Sequence, residues 1–171
     1  MPIFQFCPRC GHPLPSVDIA SERVLSQTCS ACGAVHFKNA KPSVSTVVTR
    51  EGKVLLARRA HEPFQDWWNL PGGFLDPWEQ PAHGAAREVA EETGLVVRPT
   101  QIIDVAVYPY GAGGDYILNL FYRADAIGGD LRASDDAADV KWFARDDLPE
   151  RIAFLHDWAI LEVGFVQSNS R

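Results

Sequence analysis

The sequence lacks the features of membrane and secreted proteins. Its 171 residues contain no run of about eighteen apolar side chains, so no membrane-spanning helix is predicted. The N-terminal segment MPIFQFCPRCG has no basic stretch followed by an apolar core, which argues against a secretory signal. No internal repeat or low-complexity tract is present. We therefore expect a cytoplasmic protein with no membrane partner.

Basic residues are also scarce. Lys and Arg number 16 against 22 Asp and Glu, which gives a formal net charge of −6. Non-specific binding to nucleic acid needs many cationic side chains that displace counterions, so the composition argues against a nucleic-acid partner. An acidic chain can still bind a phosphorylated ligand if a metal supplies positive charge. Hydrophobic residues make up 46% of the sequence, enough for a packed core.

Cysteine is rare but ordered. Two C-x-x-C pairs, each followed by glycine, comprise Cys7, Cys10, Cys29 and Cys32. This spacing is typical of a structural four-thiolate zinc site, whereas disulfides would require an oxidising compartment. A redox C-x-x-C is normally single and lies beside a βαβ unit. With four thiolates completing a tetrahedron, we expect His12 and His36 to be turn or surface residues. Residues 1–39 are predicted to be a zinc ribbon, followed by a larger domain over 40–171.

The remaining sequence alternates between strand and helix patterns. Strands are predicted over 43–49 and 53–59, forming a hairpin, and over 101–109, 116–127 and 140–143, with a glycine-rich turn at 111–115. A helix is predicted over 82–93, with Pro81 at its start and Gly94 at its end, and a terminal helix over 148–165. Residues 61–81 are predicted to form a long, functional loop. This order indicates an α/β or α+β domain with a mixed sheet.

The helix over 82–93 separates its side chains into two stripes. The apolar stripe, predicted to face the sheet, comprises Ala86, Val89, Ala90 and Thr93. The opposite stripe comprises Glu88, Glu91 and Glu92. Like charges at these spacings repel, and the helix dipole disfavours anions near the C-terminus. A solvated acidic face and a site for Mg²⁺ or Mn²⁺, which prefer carboxylate oxygens, both remain open at this point.

The loop before this helix favours the metal site. The segment LPGGF places Gly72 and Gly73 where a backbone can approach a metal or a ligand closely. Glu79 lies just ahead of the helix and could reach Arg87, which would fix the loop against the helix.

From Gly73 to Leu95 the sequence GFLDPWEQPAHGAAREVAEETGL matches the Nudix box at every defined position, so the chain resembles Nudix hydrolases. The four cysteines, the following N-x-K-P, the LLARR and W-x-L-P-G-G segments and the late D-V-K-W-F are similar to the zinc-ribbon-bearing branch. That branch includes ADP-ribose and FAD pyrophosphatases. The resemblance implies an α/β/α sandwich around a mixed sheet and hydrolysis, dependent on Mg²⁺ or Mn²⁺, of a nucleoside diphosphate linked to another moiety. Homodimers are common in this family, so the resemblance also allows a homodimer.

Position by position, the resemblance implies roles for the box residues. Glu91 and Glu92 correspond to the principal metal ligands, and Glu88 to a further ligand or the general base. Arg87 and Glu79 correspond to the pair that orients the helix. The carbonyl of Gly72 corresponds to another metal ligand.

Five further positions are candidates outside these roles. Asp136, and after it Asp139, align with an additional acid of the family, although a solvated loop explains both equally well. Arg58 and Arg59 could contact phosphate, although strand alternation sends them to opposite faces. Gly73 is a candidate substrate contact through its backbone.

The leaving group of the substrate is the weakest part of the prediction. An aromatic residue could stack on adenine, although each candidate is more easily explained as structural: Phe37, Trp68, Tyr110 and Tyr116. NADH pyrophosphatases carry S-Q-P-W-P-F-P after the box, and the nearest segment here is AVYPYGAGGD, which weakens NADH as the main substrate. A sensing or nucleic-acid-binding protein that uses the ribbon is an alternative, weakened by its few basic residues. An isomerase would need a catalytic cysteine, and all four are assigned to zinc.

Overall fold

The structure, a computed structural model, describes residues 4–15, 26–110, 115–134 and 136–166. The chain divides into two compact units, Met1–Ala40 and Lys41–Arg171. Residues 111–114 of the predicted glycine-rich turn at 111–115 lie outside the described residues, and Asp115 begins a strand. Within the described part of the chain, every helix is too short or too polar to cross a membrane.

The first unit is built around a small hairpin. Strands β1 (Ser26–Thr28) and β2 (Val35–Phe37) are antiparallel, with Gln27 opposite His36. The buried Gln27 side chain accepts the Phe4 N–H at 2.8 Å and donates to the Pro15 carbonyl at 2.8 Å. The hydrophobic cluster of the first unit consists mainly of cysteines, with Leu14 and Ala34. This core is too small to hold the unit together without a further cross-link.

Among its described residues, the second unit contains a seven-stranded mixed sheet, two α-helices and a short 3₁₀ helix. Its strands are β3 (Lys41–Arg50), β4 (Lys53–Arg59), β5 (Trp68–Asn69), β6 (Gly72–Phe74), β7 (Leu95–Tyr110), β8 (Asp115–Gly129) and β9 (Ala137–Ala144). Their order is β5-β4-β3-β8-β7, while β6 pairs with β3 and β9 pairs with β4. The β3–β8 pair is parallel and the other pairs are antiparallel.

Helices α1 (Pro81–Thr93) and α2 (Leu155–Val166) cover opposite faces of this sheet. Val44 and Val48 of β3 pack in the clusters that contain residues of α1. Val47, which points the other way, packs with Ile160 and Leu161 of α2. Alternation along the central strand therefore builds both interfaces. The predicted α/β/α sandwich with a mixed sheet is confirmed.

The strands β3 and β4 separate soon after their turn. Their register covers only Thr49 opposite Val54 and Arg50 opposite Lys53. Beyond that point β6 pairs with β3, and β5 pairs with β4. The segment between β5 and β6 thus enters a gap in the sheet, where the Thr46 N–H donates to the Pro71 carbonyl at 2.8 Å. This opening positions the candidate site.

Two expectations about the helices need correction. Helix α2 begins at Leu155 instead of residue 148, because Pro149 disfavours helical backbone before it and β5 uses the backbone at 151–153. The Trp68 N–H donates to the Arg151 carbonyl, and the Ala153 N–H donates to the Trp68 carbonyl. In α1, Ala90 is exposed and Ala85 is fully buried instead. The predicted long loop also contains the two short strands β5 and β6.

Candidate active site

The two glycines of the β5–β6 segment lie where no side chain fits. A Cβ on Gly72 would approach the Ser45 Cα to 2.7 Å, and a Cβ on Gly73 would lie 2.6 Å from Glu88 Oε1. Glycine therefore allows this backbone to contact β3 on one side and a carboxylate of α1 on the other. The Gly72 N–H also donates to Glu92 Oε2 at 3.3 Å.

Helix α1 packs against this segment and carries the box residues from Arg87 to Thr93. Pro81 occupies its first turn, and Gly94 ends it in the left-handed region at φ 72°, with its N–H donating to the Ala90 carbonyl. Gly84 lies against Glu79, since a Cβ there would be 2.9 Å from Glu79 Oε2. The small residues on the buried side let the helix approach β6 closely.

Arg87 is the centre of the acidic cluster. Its guanidinium donates to both oxygens of Glu79 at 2.8 Å, to Glu88 at 2.8 Å, to Glu91 at 2.9 Å and to the Phe74 carbonyl at 3.1 Å. Hydrogen bonds from Arg87 lower the pKa of Glu79 to about 2, although partial burial opposes this shift. The structure thus brings together the two residues that the sequence placed as a pair.

Two glutamates of the cluster, Glu88 and Glu92, have raised pKa values. Burial raises the pKa of Glu92 to about 8, the charge of Glu88 adds to this shift, and the Gly72 N–H opposes it. Burial likewise raises the pKa of Glu88, against the opposing effect of Arg87. Arg87 contacts three of the four glutamates, and the charge of Arg59 acts on the fourth, Glu92. Carboxylates still outnumber these two cations, so a divalent cation with oxygen ligands fits this donor set.

A cavity of about 160 Å³ opens beside Glu92. Arg58, Arg59, Asn69 and Asp136 are among the residues that line it. Both arginines line this cavity, so the expected placement of Arg58 and Arg59 on opposite faces of the sheet is wrong. The reason is that the β4–β9 register shifts between the two residues. The site therefore combines a buried carboxylate with two guanidinium groups, a combination suited to a phosphate held with a metal.

The two arginines differ in what they contact. Arg59 Nε donates to the Pro63 carbonyl at 2.6 Å, and its guanidinium lies 5.5 Å from the centre of the Phe154 ring. Arg58 lies 3.6 Å from Asp66, and its buried Nε has no hydrogen-bond partner within the described segments.

The two late aspartates have different surroundings. Asp136 lines the cavity, is exposed, and lies 4.0 Å from His61 Nε2. Asp139 forms an ion pair with Lys141 at 2.8 Å, and this contact lowers the pKa of Asp139. The structure thus places Asp136, and not Asp139, at the cavity beside Glu92.

The four cysteines converge in the first unit. Their Sγ atoms all lie within 4.8 Å of one another, which is suitable for a single metal ion. The two C-x-x-C-G turns repeat the same geometry: Gly11 donates to the Cys7 carbonyl and Gly33 to the Cys29 carbonyl, with φ of 72° and 71°. Burial raises the pKa of Cys29, but backbone N–H groups outweigh it and bring the value to about 6.

His36 is not the simple surface residue expected. Its Nε2 lies 3.2 Å from Cys7 Sγ, and the Phe4 ring packs edge-on against its imidazole. The imidazole therefore contacts the cysteine cluster from outside. His36 lies in β2, opposite Gln27 of β1.

Sequence reasoning missed a buried carboxylate near the glycine segment. Asp157 of α2 is 1% exposed, and its Oδ2 accepts the Leu70 N–H at 3.0 Å. Burial raises the pKa of Asp157 to about 7, while the Leu70 N–H and the charge of Arg59 oppose the shift. The sequence does not distinguish Asp157 from the other polar residues of the helix, His156 and Glu162.

The candidate stacking aromatics are distributed through the structure. Trp68 packs edge-on against Phe143 at 4.8 Å and belongs to the core. Tyr116 is exposed on β8, and Phe37 lies in the first unit. Tyr110 lines a small cavity of about 80 Å³ next to Gly72 and Gly73. The sequence did not mark Tyr108 and Phe154, which line the same cavity.

Comparison with known proteins supports the family that the box residues indicate. The NUDIX domain matches residues 39–162. An ADP-ribose pyrophosphatase of Methanocaldococcus jannaschii is 32% identical over 115 residues, covering 67% of this chain and 68% of that protein. The NAD-capped RNA hydrolase NudC of Stutzerimonas stutzeri is 33% identical over 146 residues, covering 85% of this chain and 50% of that protein. The chain thus spans about half the length of that relative.

A solved structure extends the likeness over almost the whole chain. A NUDIX hydrolase from Nitrosomonas europaea superimposes with a TM-score of 0.80 at 27% identity, covering 96% of this chain and 92% of the other. The chain therefore belongs to the Nudix hydrolase family, as the box between Gly73 and Leu95 predicted.

Proposed function

We propose that this enzyme is a metal-dependent pyrophosphatase that cleaves a nucleoside diphosphate linked to another moiety, with ADP-ribose and FAD as the foremost substrates. The observation that carries the proposal is the acidic cluster around Arg87, which ends in the buried Glu92 at a cavity lined by two arginines. The relative named ADP-ribose pyrophosphatase supports the choice of substrate class.

Glu88, Glu91, Glu92 and the Gly72 carbonyl would hold Mg²⁺ or Mn²⁺. A cation held by these ligands would supply positive charge that polarises a phosphate and lowers the pKa of a water molecule. Arg87 holds two of these glutamates in place through its hydrogen bonds to Glu88 and Glu91, and Glu79 anchors Arg87 in turn. Preorganisation of this kind removes the need to reorient the carboxylates during the reaction.

We propose the remaining tasks from the residues that line the cavity beside Glu92. Arg58 and Arg59 would bind the oxygens of the diphosphate, and the backbone at Gly73 would lie along it. Of the two carboxylates that line the cavity, Asp136 faces solvent and Glu92 is buried. We propose that Asp136 accepts the proton of the attacking water, with Glu88 as the alternative base.

The test is release of AMP from ADP-ribose and FAD with Mg²⁺ or Mn²⁺. Replacing Glu92→Gln should lower kcat by about 100-fold or more, since metal polarisation contributes several kcal/mol to the barrier. The control Glu51→Gln alters an exposed glutamate in the β3–β4 turn and should leave kcat unchanged. Equal rates for the wild type and the Glu92 variant would refute the role of Glu92.

NADH and NAD-capped RNA form the second candidate substrate class. The similarity to NudC over 85% of this chain favours them, while the missing S-Q-P-W-P-F-P segment counts against them. Including NADH in the same screen ranks the two classes by kcat/KM. A chain with no activity on any of these substrates but with sub-micromolar nucleotide binding would instead be a sensor.

Three further properties belong to the proposal. The four thiolates would hold structural Zn²⁺, and a cytoplasmic location agrees with reduced cysteines at a metal site. A homodimer is the third property, supported by the exposed Val105 and Val107 on β7. Metal analysis of the purified protein tests for zinc, and sedimentation velocity tests for the homodimer.

A further inference from the structure

The backbone from Leu70 to Gly72 is held by a carboxylate from each of the two helices. On the α1 side, the Gly72 N–H donates to Glu92 Oε2 at 3.3 Å. On the α2 side, the Leu70 N–H donates to Asp157 Oδ2 at 3.0 Å. We infer that Asp157 is a positioning residue for the catalytic metal site, and that it acts through this hydrogen bond. The role rests on the proposed function, which assigns Glu92 and the Gly72 carbonyl to the metal.

The other contacts of this segment fix it within the sheet. The Pro71 carbonyl accepts the Thr46 N–H at 2.8 Å, and Gly72 lies opposite Ser45 in the pairing of β6 with β3. These contacts come from the central strand and set the position of the segment in the plane of the sheet. Its position between the two helices depends on the two carboxylates, because α1 and α2 cover opposite faces. Asp157 supplies the acceptor on the α2 face.

Water cannot take over the task of Asp157. Leu70 and Asp157 are each 1% exposed, so without the carboxylate the Leu70 N–H would be buried and unpaired. An unpaired buried donor costs more than a hydrogen bond contributes, and the backbone would therefore move to find another acceptor. Peptide units are planar and stiff, so Gly72, two residues further on, would move with it.

A displacement of Gly72 would disturb two proposed metal ligands together. Its carbonyl would move, and its N–H would no longer hold Glu92 Oε2 in place. Groups that orient metal ligands without touching the metal typically contribute about 10- to 100-fold to metal affinity. Asp157 should therefore affect the binding of the metal itself, before any substrate is present.

Titration with Mn²⁺, followed by the electron paramagnetic resonance signal of the free ion, measures this effect without substrate. Asp157→Val is similar in shape but accepts no hydrogen bond, and it should weaken Mn²⁺ binding about 10- to 100-fold. Asp157→Asn keeps an acceptor for the Leu70 N–H and should restore binding to within a few-fold of the wild type. Both variants remove the charge that acts on Arg59, so their difference isolates the hydrogen bond. Wild-type affinity in Asp157→Val, or equally weak binding in Asp157→Asn, would overturn the inference.

A matched control separates positioning from a general loosening of α2. Ile160 is buried one turn further along the helix and packs in the same cluster as Leu70. Ile160→Ala removes apolar contacts but no hydrogen bond, and it should bind Mn²⁺ as the wild type does. Binding as weak as in Asp157→Val would show that any loss of packing in α2 has the same effect, which would overturn the specific role of Asp157.

Hydrogen exchange in the wild type tests the same coupling even if Asp157→Val does not fold. Because coupling between two sites is reciprocal, Mn²⁺ binding should slow exchange at the Leu70 amide and in peptides that cover α2, in addition to peptides from α1. Protection by Mn²⁺ that is confined to α1 and β6 would overturn the inference.

The positioning role and the enzymatic proposal can fail separately. Weaker Mn²⁺ binding in Asp157→Val, in a protein that hydrolyses none of the diphosphates, would support the positioning role and refute the enzymatic proposal. Hydrolysis by Asp157→Val with the wild-type kcat and the wild-type Mn²⁺ requirement would support the enzyme and refute the positioning role.

Discussion

The buried carboxylate of Asp157 should make the second unit less stable as the pH rises. In the folded protein the pKa of Asp157 is raised from 3.8 to about 7, mainly by burial, and one of its oxygens has no hydrogen-bond partner within the described segments. Between these two values the folded state holds a proton that the unfolded chain has released. Stability from this group is thus complete below about pH 4 and is lost as the pH passes through 7.

The size of the effect follows from the shift. Each pKa unit corresponds to about 1.4 kcal/mol, so Asp157 lowers the free energy of unfolding by about 4 kcal/mol in total, and by about 3 kcal/mol between pH 5 and pH 8. In Asp157→Asn the amide oxygen still accepts the Leu70 N–H, and the side chain no longer ionises. The stability of the variant relative to the wild type should therefore rise by about 3 kcal/mol from pH 5 to pH 8.

Urea unfolding followed by tryptophan fluorescence measures this difference. All five tryptophans lie between residues 67 and 158, so the fluorescence reports on the second unit. Asp146→Asn, an exposed change in the 3₁₀ turn Arg145–Asp147, serves as the control and should show no pH-dependent difference. A relative stability of Asp157→Asn that is the same at pH 5 and pH 8 would refute the reasoning.

Three other substitutions test the cluster and the ribbon. Gly73→Ala should lower kcat strongly, because its Cβ would lie 2.6 Å from Glu88 Oε1, and unchanged steady-state kinetics would contradict the close approach. Arg87→Lys keeps the positive charge but loses the bidentate pair of hydrogen bonds with Glu79, so kcat/KM should fall about 10- to 100-fold. Wild-type kinetics in this variant would show that the charge alone is sufficient. Cys29→Ser should reduce the zinc content measured by atomic absorption, and full zinc retention would exclude Cys29 as a ligand.

Features that depend on neighbours in the sequence were predictable. Pro81 and Gly94 delimit α1 because a proline fits the first turn and a glycine accepts the left-handed backbone at the end. Glu79 and Arg87 are eight residues apart across one turn, so a local argument was enough to pair them. The cysteine turns follow from the same short-range rules.

Features that depend on strand pairing were not predictable. The irregularity between Arg58 and Arg59 arises where β4 meets β9, and alternation along one strand contains no trace of it. Asp157 reaches Leu70 across 87 residues, and the small cavity beside Gly72 and Gly73 combines residues of β3 and β7 with Phe154. Such contacts are decided by the order of strands in the sheet, which residue periodicity does not encode.

The parallel pairing of β3 with β8 also determines when the catalytic cleft can form during synthesis. Ser43 hydrogen-bonds to Asn119, 76 residues later, so the central strand lacks one neighbour until most of the domain has been made. Strand β9 then completes the other edge through β4. Docking of Asp157 onto the Leu70 N–H comes last in chain order. A nascent chain that has reached only β9 would contain every strand of the sheet, yet its glycine segment would still lack the anchor that α2 provides.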